Sequence, residues 1–158
     1  RTQASQRSCA FSRPAEQLLA APPSYRVVRL AARSWEERQR EARPCPRKPE
    51  VGELSVAASG AAGDYNHYRT TRKRSTADRA ISIVTLEALD SLRRDGFDIR
   101  PGDLGENITL EAPEAELVAG RQFEVATVLS CGVRSSLRLE LTEPITPCGN
   151  LQRLAGVA

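Results

Sequence analysis

Residues 80–110 read AISIVTLEALDSLRRDGFDIRPGDLGENITL, and the fold class turns on how this stretch is parsed. Ala80 to Val84 is a short apolar, β-branched run, which reads as a buried strand. Thr85 has a side-chain oxygen suited to capping a helix, and Leu86, Leu89 and Leu92 recur behind it at helical spacing. Arg93 and Arg94 fall in the last turn, where cations meet the negative end of the helix dipole, and Gly96 supplies a left-handed stop. Arg100 to Asn107 is rich in Pro and Gly and reads as turns leading into a strand at Ile108–Leu110.

Outward from this unit, strands dominate. Upstream, Tyr25 to Ala32 (YRVVRLAA) is a first strand. Ser34 and Glu37 are spaced as a capping box, and Pro44, Pro46 and Pro49 end any helix that starts there. Val51 to Ala57 reads as a further strand, Ser59 to Asp64 as a Gly-punctuated turn, and Tyr65 to Asp78 as an exposed polar loop. Downstream, Phe123, Val125, Thr127 and Leu129 share one face of an alternating segment over Gln122–Leu129. Leu137, Leu139 and Leu141 alternate with Arg138, Glu140 and Thr142 in another half-buried strand. Short strands with a single well-formed helix imply a mainly β (α+β) fold, a β-barrel with one helical insertion after a central strand. A parallel α/β sheet is not expected, and no internal repeat is visible.

The chain of 158 residues fits one domain with a tail, divided here as a flexible basic leader over 1–24 and a domain over 25–158. Its 40% hydrophobic and 27% charged content is ordinary for a soluble protein, and no apolar run approaches the roughly 20 residues of a membrane span. Charge is unevenly placed. Residues 1–50 carry 11 Lys/Arg against 5 Asp/Glu, whereas residues 51–158 carry 12 against 15. The N-terminal arginines are spread out with few aromatics, so a solvated tail is expected rather than a nucleic-acid surface. Residues 1–34, with six arginines and one acid (Glu16), share the composition of an organelle transit peptide. A cytoplasmic location is nevertheless expected.

Cys9, Cys45, Cys131 and Cys148 lie far apart with no C-x-x-C pair, which argues against a zinc ribbon or a redox dithiol. Three clusters hold the chemistry. In Pro147-Cys148-Gly149-Asn150-Leu151, a thiol sits in a turn after a strand. It is either a nucleophile and soft metal ligand or a small buried hydrophobe. In Gly63-Asp64-Tyr65-Asn66-His67-Tyr68-Arg69, the sole histidine is either a proton shuttle or a solvated loop residue. Arg69, Arg72, Lys73 and Arg74 either grip an anion or face water. In Gly105-Glu106-Asn107, Glu106 and Asn107 either orient a ligand or cap their own turn.

Taken together and in order, these motifs resemble the MOSC family, named for the C-terminal domain of molybdenum cofactor sulfurase. The matching elements are Gly63-Asp64, then Arg79-Ala80 opening a strand–helix unit, then Pro101-Gly102-Asp103-Leu104-Gly105-Glu106-Asn107, and last Pro147-Cys148-Gly149-Asn150-Leu151. The arrangement is similar to a small stand-alone bacterial-type branch, and its best-matched part is 51–151. The resemblance implies a strand-built barrel in which Cys148 carries sulfane sulfur or ligates molybdenum. It also implies that Asp64, His67, Arg69, Arg79, Glu106 and Asn107 lie near a cleft for the molybdenum cofactor. The family is associated with pyridoxal phosphate through the sulfurase, but this chain has no room for such a domain. No pyridoxal phosphate is expected in it, and a cysteine desulfurase would be the sulfur donor. Reduction of N-hydroxylated compounds with bound molybdenum, and a non-catalytic binding module, are the alternative readings. Only ten residues follow Cys148, where the family usually continues, so a barrel shortened at its C-terminus is expected.

Overall fold

Strand β5 (Ile108–Glu111) is paired on both sides, and the rest of the sheet is arranged around it. The structure, a computed structural model, describes residues 21–40, 47–65, 80–128 and 134–144. On one side β5 runs parallel to β4 (Ile83–Thr85), and on the other antiparallel to β1 (Ser24–Leu30). β1 also pairs in parallel with β6 (Gln122–Val128), and β6 pairs antiparallel with β7 (Arg134–Glu140). The order β4–β5–β1–β6–β7 is a mixed sheet curled into a half-barrel, so the chain is mainly β, as the sequence implies. A two-residue hairpin, β2 (Val56–Ala57) and β3 (Gly60–Ala61), stands apart from it.

Helix α1 (Trp35–Arg40) starts on the expected capping box. The Glu37 carboxylate accepts from the Ser34 N–H (2.8 Å), and the Ser34 hydroxyl accepts from the Glu37 N–H (3.2 Å). Helix α2 (Leu86–Arg94) starts at Thr85, whose Oγ1 accepts from the Ala88 N–H (3.0 Å), and Gly96 beyond its end has φ +94°. Leu89 is fully buried, while Leu86 and Leu92 are half-buried beside it. The core joins Tyr25, Ile108, Leu110, Ala112, Phe123 and Val125, with Leu137, Leu139 and Leu141 packed at its margin. β5 is buried on both faces, because Thr109 is as inaccessible as Ile108 and Leu110.

Two segments differ from expectation. The strand read over Ala80–Val84 forms at Ile83–Thr85, and its apolar residues are half-buried rather than buried. The preceding Ser82 is tied to Asn107 instead: its carbonyl accepts from the Asn107 and Ile108 N–H groups (2.9 and 3.1 Å). The strand read over Val51–Ala57 shrinks to Val56–Ala57, because its pairing partner among the described residues is the two-residue β3, drawn from the expected turn. Near its start, Val51 N–H donates to the Leu30 carbonyl (3.0 Å) and Glu50 bridges Ala31.

A bulge in β1 decides what faces the cleft described below. Val27 pairs with Leu110 and Leu30 with Ile108, both core residues, but Arg29 pairs with Thr109. The register shifts between Val27 and Arg29, so one extra residue reverses the in–out alternation there. Without it, Arg29 would fall on the same face as Tyr25 and Val27, in the core.

Tyr25 closes one end of that core, its ring 5.6 Å from Phe123 and its hydroxyl donating to Glu116 Oε2 (2.5 Å). Burial, and then the Glu116 carboxylate, push its phenol above the ordinary tyrosine value. A raised value in the folded state means stability that is present below about pH 10 and is lost as pH rises through the folded value. In a spectrophotometric alkaline titration, Tyr25 therefore ionises above the ordinary tyrosine value, and Tyr25→Phe removes that late component. A titration unchanged by the substitution would contradict this.

Candidate functional site

The hairpin β2–β3 delivers Asp64 through Gly63, which takes φ +71°. The Asp64 side chain turns inward and is only 4% exposed. Its Oδ1 accepts from the Arg33 N–H (3.0 Å); its Oδ2 accepts from Lys48 Nζ (2.7 Å) and Asn107 Nδ2 (3.0 Å). The next residue, Tyr65, donates its N–H to the Arg33 carbonyl (2.7 Å), which fastens residue 33 to the Gly-Asp corner.

Asn107 joins three segments at once. Its Nδ2 donates to the Ala31 carbonyl (3.2 Å) as well as to Asp64, and its Oδ1 accepts from Ser82 N–H (3.2 Å) and Ser82 Oγ (3.1 Å). An amide has two donors and two acceptor positions, so all four are used within the protein. Asn107 therefore neither caps its own turn nor keeps a free group for a ligand. Glu106 makes local bonds: its Oε1 accepts from the Gly102 N–H and from Thr109 Oγ1 (3.0 Å), while buried Oε2 has no hydrogen-bond partner among the described residues.

Lys48 is the cation of this cluster, with its side chain 6% exposed. Burial pushes its ammonium below the ordinary lysine range, the nearby Arg33 adds to this, and Asp64 opposes it. Lys48 also forms part of the wall of a cleft of about 740 Å³, together with Arg29, Arg33, Arg47 and Arg100. Glu37 and Glu50 are the two carboxylates on that wall. The lining is therefore strongly cationic. An open cleft of this volume is the size used for small ligands, and its walls favour an anionic one.

Of the residues singled out from sequence, Asp64, Glu106 and Asn107 come together. His67, Arg69, Arg79 and Cys148 lie outside the described residues, as do the basic run at 72–74 and Cys9, Cys45 and Cys131. The sequence reading missed Arg29, Arg33, Arg47 and Lys48. Their charge was assigned to a solvated N-terminal tail, whereas they line the cleft. The available signal was their position: they flank or belong to an expected strand rather than the leader. Among the described residues, no group of His, Cys, Asp and Glu is arranged to hold a metal ion, and no helix is long and apolar enough to cross a membrane.

A curled, mainly β sheet, with Gly-Asp and Glu-Asn corners meeting behind a cation-lined cleft, defines a strand-built domain. A scan against protein families matches the MOSC domain over residues 62–156, which is more than half of the sequence, and the chain belongs to that family. The match starts two residues before Asp64 and includes Cys148, and it carries the family's association with molybdenum cofactor sulfurase. Searches of curated proteins and of solved structures returned no match.

Proposed function

We propose that this MOSC domain binds an anionic ligand of the molybdenum cofactor type, or receives sulfane sulfur, with Cys148 as the reacting or ligating thiol. The observation that carries the reading is the Lys48–Asp64–Asn107 cluster. A buried ion pair, closed by an amide with all its bonds made, holds the cleft wall at the corner where the chain enters residues 66–79. In this reading Asp64, Glu106 and Asn107 are the framework, and His67, Arg69 and Arg79 contribute from the segment between them. The described residues fit such a ligand by charge, since the cleft is lined by five cations and two carboxylates. When bound, the cofactor would supply a redox-active metal for which a thiolate is a soft ligand.

As a carrier, the Cys148 thiolate attacks the terminal sulfur of a donor's persulfide. The donor's S–S bond breaks, a Cys148 persulfide forms, and the donor leaves as a thiolate, with no outside oxidant needed. The donor is a cysteine desulfurase, which keeps pyridoxal phosphate on the partner. Incubation with a desulfurase and cysteine is expected to add one sulfur atom, about 32 Da, to the intact mass of the parent. Cys148→Ala should abolish the adduct. Equal labelling of the variant would end the carrier reading. Elemental analysis of the protein from a cofactor-producing host is the second arm. Stoichiometric molybdenum without sulfur uptake would favour metal-dependent chemistry, such as reduction of N-hydroxylated compounds.

A further inference from the structure

We infer that β7 is a docking edge for a second copy of this chain, with two β7 strands paired antiparallel about Leu139. The inference goes beyond the proposed function and does not depend on it. β7 ends the sheet and, among the described residues, pairs with β6 alone. The strand at the other end, β4, has three residues. β7 has seven, in unbroken register with β6 and without a proline or a lysine. Natural proteins blunt a long edge with such residues or with a bulge, because its outward N–H and C=O groups template another strand. The ladder shows which groups point outward. Leu141 N–H donates to the Arg121 carbonyl (3.0 Å), and its own carbonyl accepts from the Gly120 N–H (2.7 Å). The backbone of residue 141 therefore faces β6. By antiparallel alternation so do those of Leu139 and Leu137, while those of Ser136, Arg138 and Glu140 face the free edge.

Burial stops short at this edge. Phe123 and Val125 are fully buried, yet Leu139 and Leu137, their direct partners across the ladder, are half-buried, as is Leu141. These leucines share one face of the last strand, where a further strand would cover them. A second copy is the occupant because β7 is complementary to itself. A twofold axis through Leu139 sets Leu139 opposite the partner's Leu139, and Leu137 opposite the partner's Leu141, so the apolar face continues. On the exposed face, Arg138 falls opposite the partner's Glu140, and Glu140 opposite the partner's Arg138. The backbone agrees with this register, since Arg138 and Glu140 are the residues whose hydrogen-bonding groups point outward. An axis through Arg138 would instead set two arginines against each other. Charge also alternates along the row: Glu124 lies 3.0 Å from Arg138 on the β6 side, and the partner's Glu140 takes the other side.

Sedimentation equilibrium on the full chain tests the pairing. The parent should dimerise reversibly, with a dissociation constant on the order of 10 μM, as suits a small interface. Arg138→Glu and Glu140→Arg should each weaken the dimer by about tenfold, since each turns two attractive cross-strand pairs into repulsive ones. An equimolar mixture of the two variants should dimerise again, because every charge pair between them is once more of opposite sign. Arg138→Glu sets a carboxylate beside Glu124, so thermal midpoints check that the variants fold. Glu140→Arg, whose neighbour across the ladder is the neutral Gln122 (3.2 Å), keeps the test open if the first variant is unstable. A parent that stays monomeric at about tenfold the expected constant overturns the inference, as it would if residues 145–158 of the same chain took that edge. A dimer that both variants leave intact lies elsewhere on the surface and overturns it too. Weakened variants whose mixture stays monomeric remove the register about Leu139. Sulfur uptake and molybdenum content do not enter the readout, so a dimer that shows neither defeats the proposed function alone.

Discussion

Asp64→Ala lowers the unfolding free energy by about 3–5 kcal/mol, the range for breaking a buried ion pair by removing one partner. The substitution leaves Lys48 buried without its counter-ion and deprives the Arg33 N–H and one Asn107 donor of their acceptor. No other carboxylate is hydrogen-bonded to Lys48 among the described residues. The loss comes less from the pair's own attraction than from the stranded groups. A cycle with apolar replacements separates the two. Lys48→Met combined with Asp64→Leu should recover much of the loss, because the pair's desolvation cost goes with its charges. Urea denaturation at neutral pH gives all four corners of the cycle. A single-variant loss under 1 kcal/mol would mean that the cluster does not hold the cleft wall.

The elements legible in the sequence are those whose signal is local. Thr85, Leu89 and Gly96 mark α2 by a cap, a buried stripe and a stop, each of which needs only its near neighbours. The Ser34–Glu37 box is local for the same reason, and the alternation of Phe123 and Val125 survives because their strand is regular. Arg29 was not legible. Its placement depends on the bulge between Val27 and Arg29, and nothing in YRVVRLAA says which residue is the extra one. Strict alternation groups Arg29 with Tyr25 and Val27, an untenable position for a charge in the core, so the conflict itself was a clue.

The site was legible in part. Gly63-Asp64 stands out as the end of a Gly-punctuated turn leading to the sole histidine, Gly105-Glu106-Asn107 as a turn at the mouth of a strand, and both match the family pattern. That both corners meet, 43 residues apart in sequence, is a tertiary fact. Lys48 was hidden for a related reason: its partner Asp64 lies beyond the hairpin, so composition alone grouped it with solvated charge. The prolines around residues 44–49 read only as helix breakers, although Pro49 also accepts from the Ala32 N–H (3.3 Å) and helps set the cleft wall.

Gly102→Ala tests the link between the fold and the cleft most directly. Gly102 has φ +96°, a conformation that alanine adopts only under strain, and a Cβ there would run into the Arg29 guanidinium. The collision is with the end of a side chain, but with one that has little room to move. Arg29 is mostly buried and is held at Nη2 by the Lys48 carbonyl. Backbone strain and overpacking together are expected to cost about 2–4 kcal/mol. Arg29→Ala in the same chain should remove the overpacking share and leave the backbone share, so the two losses will not add. The local consequence follows from the same geometry. Gly102 N–H donates to Glu106 and its carbonyl accepts from Lys48 N–H, so a shift of Gly102 moves both sides of the cleft. A variant that keeps its full stability would show that Arg29 yields freely and does not hold the cleft wall.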